Sequence, residues 1–200
     1  IVVISLLIID HRTLYVLDFQ TKVQLANNGT TSMEGFRTSP PISVTKTFEV
    51  SKEKLWKLIS DSGNLNDCHP FCKLNEVIQW DNDGHVDRLV YLNERTYVRQ
   101  FLTWDEGEGY TLRIGEENGS QSFVEWKIEA ASKNHSQLTI TVHPYLLAKF
   151  PKLISYLPYQ LWIRPKMRRY LHSVVSGFEY VARTGEAVPR NHFGRHSWFS

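Results

Sequence analysis

A chain of 200 residues, 42% apolar and 22% charged, suits one domain with tails rather than two, and its balance excludes a disordered or membrane-embedded chain. A formal net charge of +2 excludes nucleic-acid binding driven by overall electrostatics. Two cysteines, Cys68 and Cys72, cannot build a secreted disulfide framework, so a reducing, cytoplasmic setting is expected.

Residues 1–9 (IVVISLLII) are too few to span a bilayer, which takes roughly 20 apolar residues. They read as the remnant of a membrane segment, as a buried strand or, in the preferred reading, as sequence upstream of a start at Met33. Residues 42–50 alternate. Ile42, Val44, Phe48 and Val50 share one face, and Ser43, Thr45, Thr47 and Glu49 the other, which predicts a half-buried strand. Ser51 then caps a helix with Glu53 in its first turn and Leu55, Trp56, Leu58 and Ile59 at helical spacing. Asp61, Ser62, Gly63 and Asn64 end it, and a second short helix or turn carries Leu65 towards Cys68, His69 and Pro70.

Strand-like runs follow at 73–80, 86–92, 96–104, 110–114, 121–129 and 137–143, separated by turn signals such as Asn82-Asp83-Gly84 and Glu117-Asn118-Gly119. Consecutive hairpins predict an antiparallel meander with one wet and one dry face. In residues 145–157, Leu146, Leu147, Phe150, Leu153, Ile154 and Leu157 predict an amphipathic helix interrupted by Pro151. Ile163, Met167, Tyr170, Leu171, Val174, Val175, Phe178 and Val181 trace one stripe of a long last helix, with Pro165 in its first turn and Gly185 as its C-cap. Residues 186–200 are expected to be a tail on the surface.

This order of elements resembles the START-like (SRPBCC) superfamily, which includes the Bet v 1 allergens and the polyketide cyclase/dehydrase proteins. The opening FEVSKEKLWKLISDSGNLNDCHP resembles that family's strand and helix with an inward Trp, here Trp56. A turn of the type Asp-x-Gly-Asn-Leu follows at Asp61 to Leu65, then a Trp-His-Pro-like step that keeps His69 and Pro70 but has Cys68 in place of Trp. Gly84 with Arg88, the 94–104 strand with its Trp104-Asp105-Glu106-Gly107 turn, and Val124-Glu125-Trp126 also resemble the cyclase-like branch. The likeness covers residues 42–183. It implies an α+β helix-grip fold, a curved antiparallel sheet of about seven strands wrapped around a long C-terminal helix. The implied layout is an extension at 1–41, a ligand-binding domain at 42–185 and the tail at 186–200.

A bent sheet closed by one helix leaves a hollow lined by alternate strand residues. Trp56, Leu92, Phe101, Leu112, Val124, Trp126, Ile140, Tyr170, Val174 and Phe178 are expected near it, with His69, Arg88, Tyr91, Tyr97 and Arg99 as polar groups that orient a ligand. The leading functional reading is binding or transport of a small hydrophobic molecule: a lipid, isoprenoid, polyketide or aromatic metabolite. One alternative is a cyclase, aromatase or dehydratase in the same hollow, with His69, Tyr97 and Arg99 as candidate catalytic groups. Another is an interaction module with a packed interior. No phosphate loop, nucleophile elbow or HExxH helix occurs. Cys68, His69 and Cys72 lack the C-x₂-C spacing of a zinc knuckle, so a loop at the cavity mouth is expected there, without metal or cofactor. Lys149, Lys152, Arg164, Lys166, Arg168 and Arg169 stand among Phe150, Tyr156, Tyr159 and Trp162. This pattern fits a transient membrane-surface contact through 145–169 or, as preferred, a solvated helix face whose apolar side packs on the sheet. No nucleic-acid partner is expected.

Overall fold

The computed structural model describes residues 37–200, so the readings of residues 1–32 and of Met33 lie outside the described residues. β1 (Ile42–Phe48) is followed by helices α1 (Lys52–Ser60) and α2 (Leu65–Cys68). Six strands come next: β2 (Cys72–Asp81), β3 (Gly84–Tyr91), β4 (Thr96–Asp105), β5 (Gly109–Gly115), β6 (Gln121–Ser132) and β7 (His135–His143). The chain then forms a short helix α3 (Lys152–Pro158), a π-helical turn (Tyr159–Ile163) and the long helix α4 (Arg164–Thr184).

The strands make one antiparallel sheet in the order β1-β7-β6-β5-β4-β3-β2, a meander whose last strand returns beside the first. The alternation read in β1 is the reason it fits there. Ile42, Val44 and Phe48 are buried, while the Ser43 and Thr45 hydroxyls meet those of Thr141 and Thr139 at 2.8 Å on the outer face. Bulges interrupt β2 and β4, the latter between Phe101 and Thr103. Each bulge changes which residues face inward, a change that periodicity cannot reveal.

Helix α4 lies across the concave face of this sheet with Met167, Leu171, Val174, Val175 and Phe178 buried. Pro165 sits in its first turn, and Gly185 ends it in the left-handed region at φ 73°. Gly177 permits close contact with α2, since a Cβ there would lie 2.1 Å from the Cys68 carbonyl oxygen. Among the described residues, no helix is long and apolar enough to cross a membrane.

Two expectations fail. Residues 145–157 do not pack as one helix on the sheet. The helix is confined to Lys152–Pro158, and Phe150, Leu153, Ile154 and Leu157 are exposed. The concave face is already covered by α4, so only the ends of this segment reach the interior. The last fifteen residues are also more than a surface tail, and they belong to the same compact unit as the sheet. Val188, His196 and Phe199 are buried. The Val188 amide donates to the Asp67 carbonyl at 2.8 Å, the Asn191 amide to Pro70 at 2.9 Å, and Asn93 Nδ2 to the Trp198 carbonyl at 2.7 Å. Polar surface tails have no need of His192, Phe193, His196, Trp198 and Phe199, and that aromatic density was the signal in the sequence.

Candidate functional site

The concave face is divided into a packed half and an open half. Under α1, Trp56 meets Trp104 edge-on at 5.3 Å, Trp104 stacks on Tyr110 at 5.4 Å, and Phe101 meets Tyr110 at 4.9 Å. Phe178 of α4 closes this cluster against Trp126 at 5.2 Å. Towards the first turns of α4 the filling stops, leaving a cavity of about 310 Å³.

Its walls are Leu89, Leu112, Ile114, Val124, Trp126, Ile140 and Val142 from the sheet, and Met167, Leu171 and Val174 from α4. Leu65, Leu146, Ile163, Trp198 and Phe199 add apolar surface, and Arg95, Tyr97, Ser122 and Tyr145 add polar groups. The register explains the set. Leu112 pairs with Val124, Val124 with Val142, and Val142 with Ile42, so these residues share the inner face.

One end of the cavity is polar. The Phe71 amide donates to His69 Nδ1 at 3.2 Å, so the neutral ring carries its proton on Nε2, which stands 2.9 Å from the Tyr170 hydroxyl. That hydroxyl is 3.1 Å from the hydroxyl of Tyr91. Burial, reinforced by the charges of Arg99 and Arg190, pushes the His69 imidazole down to about 3 and so keeps it neutral. Burial likewise raises the Tyr91 and Tyr170 hydroxyls, which stay protonated. With Nε2–H spent on Tyr170, the two hydroxyls hold two protons and need only one between them. One O–H at the cavity wall is therefore left over as a donor.

Arg99 and Asp87, on β4 and β3, face each other on the inner side of the sheet. Arg99 Nε donates to Asp87 Oδ1 at 2.7 Å, and Nη2 donates to Oδ2. The carboxylate is fully buried and the guanidinium nearly so, which makes this a fork-to-fork pair inside the protein. Arg99 also lines the cavity, and its Nη1 has no protein partner among the described residues.

Of the residues expected near the ligand, the structure brings His69, Leu112, Val124, Trp126, Ile140, Tyr170 and Val174 to the cavity, together with Tyr91, Tyr97 and Arg99. Five others stand elsewhere. Trp56, Phe101 and Phe178 lie on the correct side of the sheet but in its packed half. Arg88 points from the outer face and pairs with Glu76 at 2.8 Å. Leu92 lies past the end of β3, where its amide donates to the Phe71 carbonyl at 3.0 Å. Sequence reasoning missed Leu89, Ile114 and Val142, which share the parity of the residues it selected, and missed Trp198 and Phe199. Phe199 stacks on Tyr91 at 4.4 Å and meets Tyr170 at 4.5 Å, closing the polar end. Both cysteines are buried and free, and burial raises their thiols, that of Cys72 to about 11.

The same fold recurs in solved structures. A START superfamily protein from Mycobacterium smegmatis matches 71% of this chain and 96% of its own at 14% identity, with a TM-score of 0.53. Ara h 8.0201 matches 72% and 97% at 17% identity, with a TM-score of 0.51. The di-domain ARO/CYC BexL from the BE-7585A biosynthetic pathway matches 72% of this chain and 48% of its own at 9% identity, with a TM-score of 0.57. This chain has the START-like, helix-grip fold. It spans about half the length of BexL, and likewise of DynU16, from the dynemicin biosynthetic locus. No protein-family model and no curated protein matches the sequence. At these identities the likeness establishes the START-like architecture, while the cavity's own residues carry any statement about a ligand.

Proposed function

We infer that this protein binds a small, mainly apolar molecule that carries an acceptor oxygen at one end. The observation that carries the reading is the cavity itself. It is mainly apolar along the sheet and α4, it holds a spare Tyr91/Tyr170 O–H, and Arg99, whose Nη1 has no protein partner among the described residues, also lines it. Its volume lies near the lower bound of ligand pockets, about 300–1,000 Å³. Burying apolar surface there supplies affinity at roughly 25 cal/mol per Å², and the donors orient the ligand.

An enzyme of the cyclase or dehydratase type would use the same groups. It needs a side chain that exchanges a proton near neutral pH. His69 is held neutral with both ring nitrogens engaged, and both tyrosines are held protonated, so this arrangement favours binding over proton transfer.

The test is native mass spectrometry of the freshly purified chain, followed by titration with anilinonaphthalene sulfonate and competition by aliphatic ketones. Wild type is expected to bind the dye and release it to competitors. Val174→Trp, which fills the cavity, should weaken binding at least tenfold. Dye affinity unchanged in Val174→Trp would overturn the reading.

A further inference from the structure

The segment between β7 and α4 breaks the burial pattern of the rest of the domain. Phe150, Leu153, Ile154, Leu157, Leu161 and Trp162 are all exposed, Leu153 to 93%. A cluster of large apolar side chains left in water marks a surface that meets something else. The charge around it has one sign. Residues 130–178 contain no Asp or Glu, whereas Lys149, Arg164, Lys166, Arg168 and Arg169 are exposed. Lys149, Arg164, Arg168 and Arg169 form no ion pair among the described residues.

We propose that residues 149–169 dock this protein onto an anionic lipid surface. The apolar side chains enter the outer acyl region, and the lysines and arginines rest on the headgroups. α3 has seven residues, about 10 Å of helix against a hydrocarbon core of about 30 Å, so it lies on the surface and does not cross it. Apolar groups that protrude fit between lipids, and Trp162 and Tyr156 have the amphipathic rings that favour the interface. Lys166, Arg169 and Arg195 also border one hollow beside the segment, which suits a phosphate headgroup. A second copy of the chain fits poorly, because a two-fold contact would set this cationic rim against itself. Leu146 and Ile163, at either end of the segment, line the cavity, so docking brings a cavity wall to the lipid. Exchange of a ligand with the bilayer rests on the binding reading, whereas docking does not.

The experiment is co-sedimentation of the full chain, with no added ligand, on vesicles of phosphatidylcholine alone and of phosphatidylcholine mixed with phosphatidylglycerol. Binding is expected on the mixed vesicles, with loss in high salt. Arg168→Gln/Arg169→Gln should weaken it by roughly 25-fold at low ionic strength. Leu153→Ser/Leu157→Ser/Trp162→Ser should remove it while circular dichroism stays native, since these side chains support no core. Wild type that stays in solution with mixed vesicles, or a triple variant that sediments equally well, would overturn the proposal. So would self-association by sedimentation velocity that the triple variant abolishes while vesicles are ignored. Failure of dye binding to the cavity would leave it untouched.

Discussion

Asp87 is the residue whose removal should cost the fold most for a single polar group. Its carboxylate is fully buried, and its two oxygens take the Nε and Nη2 of Arg99. Charges centred about 4 Å apart attract by about 4 kcal/mol at an effective dielectric constant near 20. Asp87→Ala leaves the guanidinium buried without a counter-charge, for which about 3–5 kcal/mol is the usual loss. A domain with about 5–15 kcal/mol of stability would lose about a fifth of it at the least and most of it at the lower end of that range. In urea, with a slope of about 2 kcal/mol/M, the midpoint should fall by about 2 M. The decisive comparison is Asp87→Leu/Arg99→Met, which removes both charges and should return to within about 1 kcal/mol of wild type. If the double variant is as unstable as Asp87→Ala, the cost comes from packing, and the electrostatic account is refuted.

Two further outcomes follow from the interior. The His69 pKa is lowered in the folded state, so between about 6.5 and about 3 the unfolded chain binds the extra proton and stability falls as pH falls. From pH 7 to pH 5 the loss should be about 2 kcal/mol by urea unfolding, with His85 and His196, also lowered by burial, adding in the same direction. His69→Gln should flatten that slope, and an unchanged slope would refute the assignment. Gly177→Ala should destabilise by about 3 kcal/mol, read as a lower thermal midpoint, because its Cβ meets the backbone at Cys68.

Much of the fold was legible because its signals are local. Ser51 caps α1, with the Lys54 amide donating to its hydroxyl, and Pro165 and Gly185 bracket the first turn and the end of α4, as backbone chemistry at those positions requires. Half of the cavity was legible for the same reason: Leu112, Val124 and Ile140 alternate regularly, and Tyr170 and Val174 fall on one helical stripe. Trp56, Phe101 and Phe178 were misplaced because facing the interior and facing a void are different properties, and only packing separates them. Arg88 was misplaced because its neighbour in space, Glu76, is reached through strand pairing.

The sequence by itself determined the element order, the dry face of the meander and the stripe of α4, since each follows from residue spacing and backbone preference within a few residues. The tertiary structure alone decided where the interior stays empty, which hydroxyls join His69, how Phe199 returns to Tyr91, and that the apolar side chains of α3 face solvent. These depend on contacts between residues far apart in the chain, and on how much space the larger side chains have already filled.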